Sequence, residues 1–275
     1  MRMAQPLKPY PPEIDGLVVD HDSGVLSVRF DRPDRRNALT DGIVLGLIDI
    51  VDAASSDETA RVIHLSGSGD HFCSGFDLSL RGGSDTKPRT GATQRQMRWH
   101  INRLVTTMLE SQTPIVCAVK GWAIGLGMNI ALASDFVVAA ADSRFWAPFT
   151  QSGFTPDSGS SWLLPRLVGV TRAKEMILLG RKITGTEATD WGMIHRAVPV
   201  DEVDNAARGL AAELAAAATV SVGLSKLLIN RAPTTELNQH LQDEGLALEL
   251  SSRSADFHEA SRARHEKRDP EFGGR

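Results

Sequence analysis

An α/β core followed by a helical C-terminal region is the fold this sequence predicts. Over the first two-thirds of the chain, short β-branched runs alternate with longer amphipathic ones. From Asp201 onward the strand signals stop and only helical periodicity continues. Between these regions one stretch stands out, K-G-W-A-I-G-L-G-M-N-I-A-L-A-S-D at 120–135. It follows an apolar strand-like run and opens into an apolar helix-like run, with Gly121, Gly125 and Gly127 at the turn.

Taken in order, residues 1–15 are proline-rich and read as an irregular arm. Runs 16–20 and 25–30, separated by H-D-S-G, predict a hairpin. The polar loop D-R-P-D-R-R-N-A-L-T ends in Thr40, which can cap a helix over 41–54. A buried strand over 61–66 runs into G-S-G-D-H-F-C-S-G-F-D-L, a loop of strong turn composition. The Gly-, Ser- and Thr-rich stretch 81–92 predicts a mobile surface loop. One helix is then expected over 93–110. Strands are expected at 115–119, 136–140 and 144–147, and a helix over 157–167 that Pro165 should bend. Helices at 170–179 and 186–191 lead to a short strand at 194–198, and four further helices are expected near 202–218, 221–230, 235–252 and 255–267. Residues 16–200 thus form the core and 201–275 the helical region.

A chain of 275 residues can bury a sizeable core. Its formal net charge of −4 gives no reason to expect nucleic acid or an anionic membrane as partner, and no apolar run is long enough to span a bilayer. The two cysteines, Cys73 and Cys117, lack metal-ligand spacing and read as reduced packing residues of a cytoplasmic protein. No metal site or resident cofactor is expected. The N-terminus lacks the apolar segment of a signal peptide.

The glycine turn suits a developing negative charge. Glycine lets backbones approach closely, and the first N–H groups of a helix have no intrahelical acceptor. A phosphate and the oxygen of a reacting carbonyl are both candidates. A dinucleotide-binding loop fits poorly, because G-L-G-M-N-I supplies too few glycines and lies mid-chain.

H-F-C-S-G-F-D-L, G-W-A-I-G-L-G and P-D-S-G-S-S-W-L-L-P-R-L-V-G, with R-P-D-R-R-N-A-L before them and E-K-R-D-P-E-F-G-G after, resemble the crotonase, or enoyl-CoA hydratase/isomerase, superfamily. The resemblance implies a spiral of ββα units with a C-terminal helical region used in trimer formation, so the chain is expected as a homotrimer or dimer of trimers. It implies acyl-CoA thioesters as partners, with CoA entering as part of the substrate. It also implies an oxyanion hole for a thioester enolate, formed by the backbone N–H groups of Phe76 and Leu126.

Where hydratases of that superfamily carry two glutamates, this chain has Asn129 and Phe149. Neither exchanges a proton near neutral pH. Asp157 is the carboxylate that remains, in a segment that resembles the 1,2-epoxyphenylacetyl-CoA isomerases. Pro-Asp-Ser-Gly before an apolar run is also what a helix N-cap looks like, and both roles can coexist. Asn129 is expected either to orient substrate or water or to bond the local backbone as a buried amide. His71 reads as a solvated loop histidine and Asp77 as a residue that holds the first oxyanion loop. The resemblance places CoA or substrate contacts at Arg36, Ala38, Ser74, Asp77, Leu78, Gly125, Phe149 and Lys267.

The expected function is acyl-CoA isomerisation through an enolate, with Asp157 shuttling the proton in a double-bond shift or ring-epoxide opening. A 2-enoyl-CoA hydratase with a non-standard acid/base set and a catalytically silent acyl-CoA binding protein are the alternatives.

Overall fold

In a computed structural model that describes residues 10–11, 13–81 and 89–275, the α/β core and helical C-terminal third are both present. Strands β1 (Leu17–Asp22) and β2 (Val25–Phe30) form an antiparallel hairpin. Its tip is Ser23-Gly24, with φ of 51° and 82°, the doubly left-handed turn whose twist matches paired strands. Helix α1 (Asp41–Ala54) starts where Thr40 predicts: the threonine hydroxyl accepts from Ile43 N at 3.2 Å.

Strands β3 (Val62–Gly67), β4 (Ile115–Val119), β6 (Phe136–Ala140) and β9 (Arg196–Val198) continue this sheet in parallel, in the order β1-β2-β3-β4-β6-β9. A small second sheet joins β5 (Trp122–Ile124), β7 (Arg144–Trp146) and β8 (Ile183–Thr184). The large sheet is covered on both faces, which is why its central strands read as unbroken apolar runs. Ile115, Cys117 and Val119 of β4 belong to the main core, whereas Val116 and Ala118 face the other way. There they meet Val203, Ala207, Ala211 and Ala215, the stripe of helix α7 (Val203–Ala216). Small residues at every fourth position let that helix lie close against the strands.

One helical expectation changes. The helix expected over 93–110 is two, α2 (Ala92–Trp99) and α3 (Ile101–Glu110), broken at His100 (φ −112°, ψ −87°). His100 Nδ1 lies 3.0 Å from an Asp41 carboxylate oxygen, so the break holds the histidine against the start of α1. Helix α5 (Ser160–Leu178) contains Pro165, yet its non-helical residue is Gly169 (φ 77°, ψ 163°). The glycine, free to take a left-handed φ, breaks the span between the two helices expected at 157–167 and 170–179. Most of the loop expected over 81–92, at 82–88, and most of the N-terminal arm lie outside the described residues.

Helices α6 (Gly185–Asp190), α8 (Thr219–Arg231), α9 (Leu237–Ser251) and α10 (Ala255–Glu266) complete the chain. Lys226 of α8 joins the core through a buried ion pair with Asp135 at 2.8 Å and a bond to the Thr113 carbonyl at 3.1 Å. The C-terminal tail is clasped by α10. Asp256 accepts from Gly273 N and Gly274 N at 2.7 and 2.9 Å, and Glu259 pairs with Arg268 at 2.6 Å. Arg268, Arg262 and the Glu271 N–H hold the Glu259 carboxyl down at about 2.

Candidate active site

The site is assembled where the loops after β2, β3 and β5 meet. Residues 32–39 make a short turn with Arg36 and Asn37 both left-handed, at φ 50° and 55°. The buried Asn37 amide stabilises it, accepting from Arg32 N at 2.9 Å and donating to Ser68 O and His71 O at 2.9 and 2.7 Å. That one side chain fastens the β2 loop to the β3 loop. Arg36 O accepts from Ser74 N at 2.9 Å, adding a second fastening. Arg32 spans the same gap, donating to Ala38 O at 2.5 Å and pairing with Asp77 at 3.2 Å. Asp77 also accepts from Ser79 Oγ at 2.6 Å, and the Ser79 hydroxyl and the Arg32 guanidinium hold its carboxyl below the usual range. It therefore orders the loop that carries Phe76.

Phe76 is aimed by a single parallel bridge to Leu39. Leu39 N donates to Gly75 O and Asp77 N donates to Leu39 O, both at 2.8 Å. The peptide groups flanking Phe76 thus face Leu39, and the N–H of Phe76 points to the opposite side. On that side lies the glycine turn. A Cβ at Gly75 would sit 2.8 Å from Ile124 O and 3.6 Å from Leu126 N, so the two candidate donors meet at one junction. Helix α4 (Leu126–Leu132) begins there with Gly125 at φ 52°, ψ −118°, and Leu126 N–H is the first group of that helix without an i−4 acceptor. A Cβ on the buried Gly125 would meet nothing within 4 Å, so the backbone faces open space. Gly127 is pressed on Cys73, with a Cβ there only 2.7 Å from three of its atoms. Cys73 is fully buried and burial pushes its thiol up to about 12, which leaves it a packing residue.

Asp157 does not cap α5. The cap residue is Gly159 (φ 90°), with no side-chain cap bond, and Asp157 lies half-buried two residues before it. The capping expectation fails because Ser158 is left-handed at φ 49°, which adds a turn between the aspartate and the first helical N–H groups. Ser158 Oγ donates to Asp157 Oδ1 at 2.9 Å. Asn129, on the first turns of α4, is fully buried and its Nδ2 lies 2.6 Å from Ser158 Oγ, 2.7 Å from Ser160 Oγ and 3.3 Å from Asp157 O. Of the two roles expected for Asn129, the buried amide is the one this geometry supports. Its amide is committed to the Asp157 turn, not to substrate. Phe149 is buried in the main core, edge-on to Phe154 at 5.8 Å, and brings no polar group.

Arg36, Ala38, Ser74, Asp77 and Leu78 gather on the β2–β3 loop pair, with Arg36 and Leu78 exposed. Lys267 is not brought to them. It ends α10 in a left-handed conformation, in a segment whose bonds run through Phe272 O to Arg61, at the opening end of β3. His71 departs from the solvated expectation: its Nδ1 is buried without a partner among the described residues, beside Gly121. A cleft of about 600 Å³ between α5 and α8 touches none of Phe76, Leu126 or Asp157. Another, of about 510 Å³, opens onto Ser158 and Gly159 and is walled by Val105, Leu109, Trp162 and Leu227. Sequence reasoning missed Arg32, Asn37, Ser158 and Ser160. Only the Ser-Gly pair after Asp157 carried a signal, as a turn dipeptide.

The chain has counterparts among known proteins. The profile of the enoyl-CoA hydratase/isomerase family matches residues 20–275. The 1,2-epoxyphenylacetyl-CoA isomerase of Escherichia coli K12 is 36% identical over 260 residues, covering 94% of this chain and 99% of its own. The 2,3-dehydroadipyl-CoA hydratase of the same organism is 29% identical over 259 residues, with 94% and 99% covered. The crystal structure of an enoyl-CoA hydratase from Bacillus anthracis superposes with a TM-score of 0.87 at 29% identity, covering 94% of this chain and all of that one.

Proposed function

Since the chain belongs to the enoyl-CoA hydratase/isomerase family, we propose that it works there as an acyl-CoA isomerase. The observation that carries this reading is the inventory of proton-exchanging groups. Asp157 is the one carboxylate at its position, while Asn129 is spent on hydrogen bonds and Phe149 is apolar. In this reading Asp157 takes a proton from carbon beside the thioester carbonyl or one vinylogous to it. The resulting enolate oxygen is held by the N–H groups of Phe76 and Leu126, and the proton returns to a different carbon. The substrate is an acyl-CoA carrying either a displaced double bond or a ring epoxide, the latter suggested by similarity to the epoxyphenylacetyl-CoA isomerase.

Hydration of a 2-enoyl-CoA is the second reading, favoured by similarity to the dehydroadipyl-CoA hydratase. Absorbance of the conjugated thioester separates the two. With a six-carbon 3-enoyl-CoA the protein is expected to raise that absorbance, and with the matching 2-enoyl-CoA to leave it unchanged. Faster loss from the 2-enoyl ester than gain from the 3-enoyl ester would overturn the isomerase reading.

Self-association belongs to the same proposal. Helix α9 has no buried residue in the single chain, and Leu237, Leu241, Leu246, Leu248 and Leu250 are each more than half exposed. Covering a leucine side chain is worth roughly 2 kcal/mol, so five of them favour a partner surface. Light scattering on the purified protein should give three or six chain masses. A monomer at micromolar concentration would remove the trimer from the proposal.

A further inference from the structure

A histidine lies inside the apolar layer between the large sheet and α7. Along β3, Ile63 and Leu65 face the main core, while Val62 faces the other way, toward Val203, Ala207, Ala211 and Ala215 of α7. His64 shares that second face and is 2% exposed. Its Nε2 is buried and has no hydrogen-bond partner among the described residues. A neutral imidazole leaves one donor or one acceptor unsatisfied there. A protonated one would bury a charged N–H with nothing to receive it, which costs far more.

Ser27 of β2 and Val116 of β4 are its register neighbours, and neither is charged. Arg29 of β2 is exposed and donates to Ser68 Oγ at 3.0 Å. From α7 come Arg208, whose charge opposes protonation, and Asp204, whose charge favours it. The Asp204 carboxylate is already paired with Lys120 at 2.9 Å. Burial and Arg208 prevail, and the ring is pushed down to about 4. Above about pH 6.5 the docked and the released ring are both neutral, and docking of α7 is at full strength. As pH falls toward 4 only the released ring gains a proton, so docking weakens.

Helix α7 is lightly anchored. Three of the four side chains it buries are alanines, each offering a single methyl group. We propose that His64 is an acid switch for α7: a proton taken up by the ring lifts the helix from the sheet while the main core stays folded. The released helix takes Asp204 with it and frees Lys120, which follows β4 and precedes the Leu126 turn. Strand β3 itself leads into the loop bearing Phe76. The switch thus sits behind the strands that lead to both candidate donors, and it acts whichever reaction they serve.

Amide exchange followed by mass spectrometry on the full chain, corrected for the intrinsic rate, tests this. From about pH 7.5 to about pH 5 the opening constant of residues 203–216 should rise about 30-fold, as for a ring that titrates near 6.5 when released and near 4 when docked. Residues 115–119 of β4 should keep their protection. His64→Leu fills the site without a titrating group and should hold the rise at 203–216 within about threefold, and His64→Gln should do the same. Unchanged exchange at 203–216 in the parent, a simultaneous loss at 115–119, or a rise of equal size in a folded His64 variant would overturn the proposal. Should neither variant fold, the first two outcomes still decide.

Discussion

Asp157→Asn should lower kcat by roughly 10³-fold, the middle of the range that a positioned general acid–base contributes. That factor corresponds to about 4 kcal/mol in the transition state. Asparagine keeps the shape and the Oδ1 that accepts from Ser158, so the turn at 157–160 should persist. It removes only the ability to take up and return a proton. The loss should therefore appear in kcat, with affinity for the CoA ester and the thermal midpoint close to those of the parent. Single-turnover rates beside calorimetric binding of the same ester check this. Turnover within threefold of the parent would remove Asp157 from the chemistry and leave it a structural role, its backbone carbonyl accepting from Ser160 N at 3.1 Å and its Oδ1 from Ser158 Oγ at 2.9 Å.

Gly75→Ala acts on the other half of the site. Gly75 has φ 88°, where a side chain costs about 1–2 kcal/mol in backbone strain alone. The added methyl would also sit 2.8 Å from Ile124 O, closer than real Cβ contacts come. The obstacle is backbone, so no side chain can swing aside. Either the loop bearing Phe76 or the turn bearing Leu126 must move, and both carry a candidate donor. Losing one preorganised donor to an oxyanion typically costs 10²–10³ in kcat, about 3–4 kcal/mol. We expect a fall in kcat of that size in protein that still folds. A thioester whose carbonyl stretch reports polarisation should also shift back toward its value in water. Normal kcat in a folded Gly75→Ala protein would show that the junction is not where the carbonyl oxygen sits.

These two changes divide the site along a line that also separates what the sequence shows from what it hides. The close backbone approach at the glycine turn was legible. Gly75 and Gly127 stand where the chain comes close to a neighbouring segment, Gly125 takes the left-handed φ of the turn, and turn composition plus a following apolar run mark a helix start. Helix α1 with its Thr40 cap, strands β4 and β6, and the helical C-terminal third were legible for the same reason. The surroundings of Asp157 were not. Asp157 looks like a helix cap in sequence, and a left-handed Ser158 separates it from the helix. Asn129 could orient substrate or serve as a buried amide by sequence, and its contacts with Ser158 and Ser160 support the second.

The sequence by itself determined the order and type of the elements, the apolar runs that demand a sheet covered on both faces, and the close backbone approach at the glycine turn. These depend on periodicity and on φ, which neighbours within a few residues set. The tertiary structure alone decided which loops meet. The bonds that aim the site join Asn129 to Ser158 across 29 residues, Asn37 to His71 across 34 and Arg32 to Asp77 across 45. Each joins polar groups of which at least one is buried, and exists only once the sheet has brought distant loops together. No local pattern encodes such a pairing, because a buried polar group takes whichever partner the packed chain supplies.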